Sequence, residues 1–490
     1  MDLPDPSLLL PEAPRVAEAL DRAGWSSPAL DDLLGVTAQT HLDRGELACL
    51  LRRTTGGSAL EVLARLFVLG VPVEPAQARA AGVPESWLSH DGTALVGLQP
   101  VLHDGADVTV PHDPSRGPAR VQPEQVLGVG AAALTLAAAT PRRPVARVLD
   151  LGAGGGIQAL LAGRHADAVV ATDRNPRAVA FTRLAAALAG SPPYVPRGEQ
   201  SVPGRPMYDV REGDLLEPVA GEAFDLIVSN PPFVISPGRR YTYRDAGYPG
   251  DEVCRRLVAG LPGLLVPGGT AVLLANRLHL PGQDGDDRVR SWFDGTGADG
   301  WIVQRELAVP EDYVTAWLRD TDEGARFDVL YDEWLAALDG VDAVAFGIIA
   351  IRRPHEAGPS RVVLDEVDQP LAATWGEEVL GHFDRRRALQ ADPLDVAWRL
   401  REDVRLRQDA ERGADGWTVT SQLLHQEAGL RWTGEVDAYG ATLLAGCDGT
   451  RRLGELVAVL AAAAGLGAGE AAEQVVPVVR RLVEQGFLVP

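Results

Sequence analysis

The stretch ARVLDLGAGGG, residues 146–156, reads as a buried strand that runs straight into a glycine turn. Glycines at 152, 154 and 156 let the backbone turn sharply and approach a ligand closely. The helical pattern that follows would offer its first N–H groups to the same place. A glycine-rich strand-to-helix turn alone is weak evidence of a particular ligand. The dinucleotide pattern GxGxxG wants Gly or Ala at 157, where the chain has Ile157, and no Gly-Lys-Ser/Thr follows to make a P-loop.

Working outward, short apolar runs alternate with helical patterns from about 122 to 354. ADAVVATD (166–173), MYDVREGD (207–214), FDLIVSN (224–230), GGTAVLLAN (268–276) and AVAFGIIAIRR (343–353) read as strands. Residues 176–189 and 252–265 read as helices, and 310–338 as an inserted helical segment. This alternation predicts an α/β fold: a doubly wound, mainly parallel, seven-stranded sheet with helices on both faces. Residues 1–121 are expected to form a helical N-terminal module with a hairpin near 94–113. Its helix is announced by the capping box Ser58-x-x-Glu61 and stopped at Gly70. Residues 355–490 are expected to form a C-terminal module ending, in the style of a winged helix, in helix, glycine turn, helix and short strand.

Composition bounds the class. The hydrophobic fraction of 46% with 23% charged residues excludes wholesale disorder. No apolar run is long enough for a membrane span, and the acidic start MDLPDPSLLLPEAPRV lacks the basic region of a signal peptide, so a cytoplasmic location is expected. Cys49, Cys254 and Cys447 are scattered and form neither a disulfide framework nor a metal site, and no metal is expected. All 46 basic residues are arginine, against 68 acidic ones, and the net charge of −22 would repel a nucleic-acid backbone at long range. A nucleic-acid target would therefore need a local basic patch.

Three further signals sit at strand ends. Asp173 lies 21 residues after Gly152, where a carboxylate can accept hydrogen bonds from both hydroxyls of a ribose; a helix N-cap ahead of Asn175-Pro176 is the alternative. Asp214 ends the next strand, where an acceptor can hold an adenine amine, or be a plain turn aspartate. Ser229-Asn230-Pro231-Pro232-Phe233 is the most specific. Pro231 and Pro232 fix the backbone and remove two N–H donors. The Asn230 side-chain oxygen and the Pro231 carbonyl can then accept from one –NH₂ group and aim its lone pair at an electrophile, while Phe233 offers a face for a planar group. A structural proline loop is the bland reading.

With these four signals in order, residues 122–354 resemble the class I S-adenosylmethionine-dependent methyltransferases. NPPF resembles the N-methyltransferase group that includes release-factor glutamine and small-domain rRNA guanine methyltransferases. Val234-Ile235-Ser236-Pro237 is similar to the glutamine-methylating branch. The resemblance implies that Asp150, Gly152 and Gly154 line the cofactor's methionine end, that Gly156 also binds the cofactor, that Asp173 holds its ribose and that Asp214 sits at its adenine. It also implies that Asn230 to Phe233 hold the accepting nitrogen: a glutamine amide of a translation protein or an exocyclic amine of an RNA base. The flanking modules differ from those of the release-factor enzymes. Small-molecule N-methylation and non-catalytic cofactor binding are the alternatives. After NPPF, residues 236–260 hold Arg239, Arg240, Arg244, Arg255 and Arg256 against three acids, with three tyrosines interleaved. Arg239, Arg240 and Arg244 are the candidates for holding a macromolecular substrate, RNA or protein; a solvated loop is the other reading.

Overall fold

The computed structural model describes residues 3–114, 122–190, 206–238, 248–319, 326–372, 375–413 and 416–490. The chain divides into two compact units, 1–368 and 369–490.

The first unit opens with six short helices between Ala13 and Ala80. The capping box is made in both directions: the Glu61 N–H donates to Ser58 Oγ at 3.3 Å, and the Ser58 N–H to Glu61 Oε2 at 2.8 Å. A tight antiparallel hairpin follows, β1 (Gly97–His103) and β2 (Ala106–His112). Asp104 and Gly105 both take positive φ (47° and 71°) at its tip, the backbone that suits a two-residue hairpin.

The strands of the main sheet are β3 (Val145–Leu151), β4 (Ala166–Asp173), β5 (Met207–Glu212), β6 (Phe224–Ser229), β7 (Leu265–His279), β8 (Asp299–Ala308), β9 (Ala343–Arg352) and β10 (Val362–Glu366). Their order is β10-β8-β9-β7-β6-β3-β4-β5. β9 runs antiparallel to β7 and β8; every other pair is parallel. Helices cover both faces, which is why β6, β7 and β9 read as nearly continuous apolar runs. The doubly wound α/β reading holds, with one correction to the strand count. The sheet has eight strands: the six stretches read from the sequence, β8 (Asp299–Ala308), which is not among them, and Val362–Glu366, which adds to the β8 edge. Five partly exposed residues carry too little pattern to reveal such an edge strand. After β5 the chain crosses back to place β6 on the other side of β3, so the sheet reverses direction between β3 and β6. A crevice opens at the carboxyl ends of strands at such a reversal.

The N-terminal helices and the helix Pro176–Leu188 share one apolar core. Leu9, Val16, Leu63, Phe67 and Trp87 pack in the same cluster as Phe181 and Leu184.

In the second unit, β11 (Arg399–Leu400) pairs with β15 (Leu488–Val489), and β12 (Val404–Gly413), β13 (Gly416–Gln426) and β14 (Thr433–Glu435) form an antiparallel sheet. The expected ending is present: helix Leu453–Ala464, Gly465 at φ 71°, helix Ala468–Glu484 and a final strand. The long β12–β13 hairpin is exposed on both faces over most of its length, so it lacks the apolar alternation by which a strand is read. No described helix in either unit is long and apolar enough to cross a membrane.

Phe181 is fully buried where the N-terminal helices meet the sheet's own helix. Phe181→Ala is expected to lower the unfolding free energy of the chain by about 3–5 kcal/mol in urea titration. A loss below about 1 kcal/mol would mean that the two parts do not share a core.

Candidate functional site: a cleft at the reversal of the sheet

The glycine turn leaves β3 with φ of 82° at Gly152, 57° at Gly154 and 88° at Gly156, a region open to glycine and strained for other residues. The turn is tied to β4: the N–H groups of Gly152 and Ala153 both donate to the Thr172 carbonyl, at 2.8 and 3.0 Å. The Gly154 N–H donates to Asp173 Oδ2 at 2.9 Å, and Thr182 Oγ1 donates to the Gly154 carbonyl at 3.0 Å. Asp173 Oδ1 accepts the Asn175 N–H at 2.9 Å. The N-cap of the helix Pro176–Leu188 is Asn175, whose Oδ1 accepts the Arg177 N–H, so the capping role falls two residues beyond Asp173. Burial pushes the Asp173 carboxyl above its ordinary range, against the pull of those N–H groups.

β6 ends beside β3. Ser229 is in register with Leu151, and Ser229 Oγ donates to the Leu151 carbonyl at 2.8 Å. Asn230 and Gly152 are thus the next residues on two adjacent strands, and a Cβ placed on Gly152 would lie 3.6 Å from the Asn230 carbonyl oxygen. The Asn-Pro-Pro-Phe turn is held from its far side. Phe233 packs on Phe346 of β9, with ring centroids 5.4 Å apart. The Ile235 N–H donates to Tyr313 Oη at 2.8 Å, and Asn276 Nδ2 donates to the same oxygen at 3.0 Å. Tyr313 stands on the inserted helix Pro310–Arg319, which therefore forms a wall of the site.

The cleft has a volume of about 750 Å³, of the size that takes a cofactor-sized ligand. Gly152, Gly154, Asp173, Asp214, Asn230, Pro231, Pro232 and Phe233 all line it. Asp150 and Gly156 do not. Asp150 is buried beneath the turn, where Oδ2 accepts the Ala159 N–H at 2.8 Å, and Gly156 caps the helix Ile157–Ala162. Arg239, Arg240 and Arg244 lie outside the described residues. Sequence reading gave no site role to the segment Gln125–Gly130, Asn276, Tyr313 or Phe346, all of which line the cleft. The signal for Tyr313 and Phe346 is long-range, since both arrive from elements well over 70 residues after the turn they support. No histidine lines the cleft among the described residues, and no metal-ligating cluster occurs among them.

Burial pushes the Asp150 carboxyl up to about 7; the Ala159 N–H opposes the shift and the nearby Asp173 charge adds to it. Between the ordinary value of 3.8 and about 7, the folded protein keeps a proton that the unfolded chain has released, so this group's stabilising contribution falls as pH rises. Asp150→Asn keeps the shape and the acceptor without the charge. Its stability advantage over the wild type is expected to widen between about pH 4 and 7, by up to about 1.4 kcal/mol per pH unit, and to level off above. Urea midpoints at pH 5 and pH 8 check this; a gap independent of pH would contradict it.

The geometry can be set beside known proteins. Residues 127–284 match the family model described as "Methyltransferase small domain". Two further models, each described as a domain of unknown function, match residues 22–90 and 380–490. The chain is similar to the release factor glutamine methyltransferase of Deinococcus radiodurans, 34% identical over 178 residues, which cover 32% of this chain and 58% of that protein. It is similar to the same-named protein of Xylella fastidiosa (strain 9a5c), 34% identical over 139 residues, 26% of this chain and 46% of that one. It is also similar to the ribosomal RNA small subunit methyltransferase C of Alcanivorax borkumensis, 31% identical over 135 residues, 28% of this chain and 33% of that one. The chain thus spans about half the length, or less, of these curated relatives. Among solved structures, a 16S rRNA methyltransferase of T. thermophilus in complex with AdoMet and guanosine is 20% identical, covers 44% of this chain and 56% of its own, and has a TM-score of 0.27. The segment 127–284, which matches the methyltransferase small-domain model, carries both the glycine turn and the Asn-Pro-Pro-Phe turn, and it lies between the two segments that match domains of unknown function.

Proposed function

We propose that the cleft binds S-adenosylmethionine and that the chain transfers its methyl group to a planar nitrogen held by Asn230-Pro231-Pro232-Phe233. The observation that carries this reading is the adjacency of Gly152 and Asn230 at neighbouring strand ends in one cleft. The family match of residues 127–284 and the similarity to a release factor glutamine methyltransferase and a ribosomal RNA methyltransferase support it.

The donor set fits the cofactor. Asp173 lines the cleft with its carboxylate accepting from the backbone N–H groups of Gly154, Asn175 and Arg174, which leaves acceptor capacity for ribose hydroxyls. Asp214 lines it after β5 and can accept from an adenine amine. The cofactor, when bound, supplies a methyl group already activated by the positive sulfur. The protein's work is then positioning. Asn230 Oδ1 and the Pro231 carbonyl accept from the two N–H bonds of the substrate, and the two prolines bring no backbone N–H of their own to compete for those oxygens. Such bonds favour a pyramidal nitrogen and strengthen as charge develops on it, which is transition-state stabilisation. Asp150 and Gly156 serve the cofactor from beneath, by fixing the turn. The acceptor is a glutamine amide of a protein or an exocyclic amine of an RNA base, with Arg239, Arg240 and Arg244 as the residues that capture it.

Asn230→Ala is expected to lower kcat about 100-fold and to leave the Kd for S-adenosylmethionine within about twofold. Tritium transfer from labelled cofactor into a lysate of the source organism, split by RNase and by protease, reads the first and identifies the acceptor; calorimetry reads the second. A fully active variant would remove Asn230 from the chemistry. Label found only in dialysable molecules would overturn the macromolecular acceptor.

A further inference from the structure

The cleft has a wall that belongs to none of the sheet's strand ends. Residues Gln125–Gly130 line it as an extended segment with no regular secondary structure. Backbone groups in such a segment need partners from elsewhere. Besides the local bonds from the Gln125 N–H to the Gln122 carbonyl and from the Leu134 N–H to the Gly130 carbonyl, its described partners come from the N-terminal hairpin region, and the start of the helix Pro176–Leu188 holds the adjoining Glu124. Gln99 of β1 grips Val129 in both directions: its Oε1 accepts the Val129 N–H at 2.8 Å, and its Nε2 donates to the Val129 carbonyl at 3.3 Å. Asp113, just past β2, does the same for Val126. Its Oδ2 accepts the Val126 N–H at 2.8 Å, and its own N–H donates to the Val126 carbonyl at 2.9 Å. The Asp113 carboxylate is fully buried and is held by a two-pronged Arg177 guanidinium, which also donates to the Pro4 carbonyl at 2.6 Å. Asn175 Nδ2 donates to the Glu124 carbonyl at 2.9 Å, two residues from Asp173.

The fit is close on both sides. A Cβ on Gly128 would fall 2.7 Å from Gln99 Oε1, and one on Gly155 would fall 3.0 Å from the Pro111 carbonyl of β2. The hairpin therefore presses on the glycine turn and grips the segment opposite it.

We propose that the N-terminal hairpin is part of the cofactor site, and that Gln99 is a positioning residue that holds the Gln125–Gly130 wall in place for S-adenosylmethionine. This rests on the proposed cofactor reading of the cleft. It assigns the N-terminal segment a role in retaining the cofactor, separate from capture of the methyl acceptor. Gln99 itself touches the wall and not the cleft, so its effect passes through the Val129 backbone.

The test uses the full chain and calorimetry with S-adenosylmethionine and S-adenosylhomocysteine. Loss of two hydrogen bonds to Val129 in Gln99→Leu is expected to raise both Kd values roughly tenfold. Gln99→Glu keeps the shorter bond, as acceptor of the Val129 N–H, and is expected to recover most of the affinity. A purely structural role would lower the melting temperature of the ligand-free protein in step with affinity and would show no such rescue. Hydrogen exchange on the wild type gives a reading that needs no variant. Added S-adenosylhomocysteine is expected to slow the Val126 and Val129 amides more than it slows amides of the core strands. Equal affinity of Gln99→Leu and the wild type, or Val126 and Val129 amides indifferent to the ligand, would overturn this inference and leave the cofactor reading standing. Absence of binding by the wild type would instead overturn the cofactor reading.

Discussion

The hydrogen bond from the Gly154 N–H to the Asp173 carboxylate at 2.9 Å, with those from Gly152 and Ala153 to the Thr172 carbonyl, ties the glycine turn after β3 to the end of β4. It exists because three glycines take a left-handed backbone that an L side chain resists, and so bring the turn back over β4. The same carboxylate holds the Asn175 N–H at the start of the next helix. Backbone donors from Gly154, Asn175 and Arg174 fix the orientation of a carboxylate that lines the cleft. Asp150 supports the arrangement from below by accepting the Ala159 N–H, away from solvent. The two acidic residues divide the work: one lies in the cleft, and the other anchors the helix behind it.

The second constraint is the reversal of strand order at β3 and β6. It sets the glycine turn and the Asn-Pro-Pro-Phe turn side by side without any long-range loop to position them. The Ser229 hydroxyl bonded to the Leu151 carbonyl ties the two strand ends at the last paired residues. From the far side, Phe346 and Tyr313 fix Phe233 and Ile235. A rigid turn is what the proposed alignment-driven reaction requires, because small misplacements are costly there.

Much of this was legible in the sequence, for reasons of locality. The β3, β4 and β6 runs are buried on both faces and bounded by glycine, aspartate or proline, so apolar runs and breakers coincide. The glycine turn and the NPPF turn are each contiguous in the chain, and their strand-end positions follow from the fold class. What was hidden depends on contacts across the chain. Asp150 carries the same residue type and neighbourhood as a ligand-binding carboxylate, and only burial shows that it faces inward. The Gln125–Gly130 wall has no periodicity, and its partners Gln99 and Asp113 are ordinary polar residues until the hairpin folds against it. β10 escaped notice because an edge strand of five partly exposed residues has no alternation to read.

A crystal structure of the full chain grown with S-adenosylhomocysteine tests the central claim most directly. The expected result is the ligand in the β3–β6 crevice, with its ribose hydroxyls on Asp173, its adenine beside Asp214 and its sulfur facing Asn230. A ligand bound elsewhere, or one in the crevice whose sulfur faces away from the Asn-Pro-Pro-Phe turn, would contradict it.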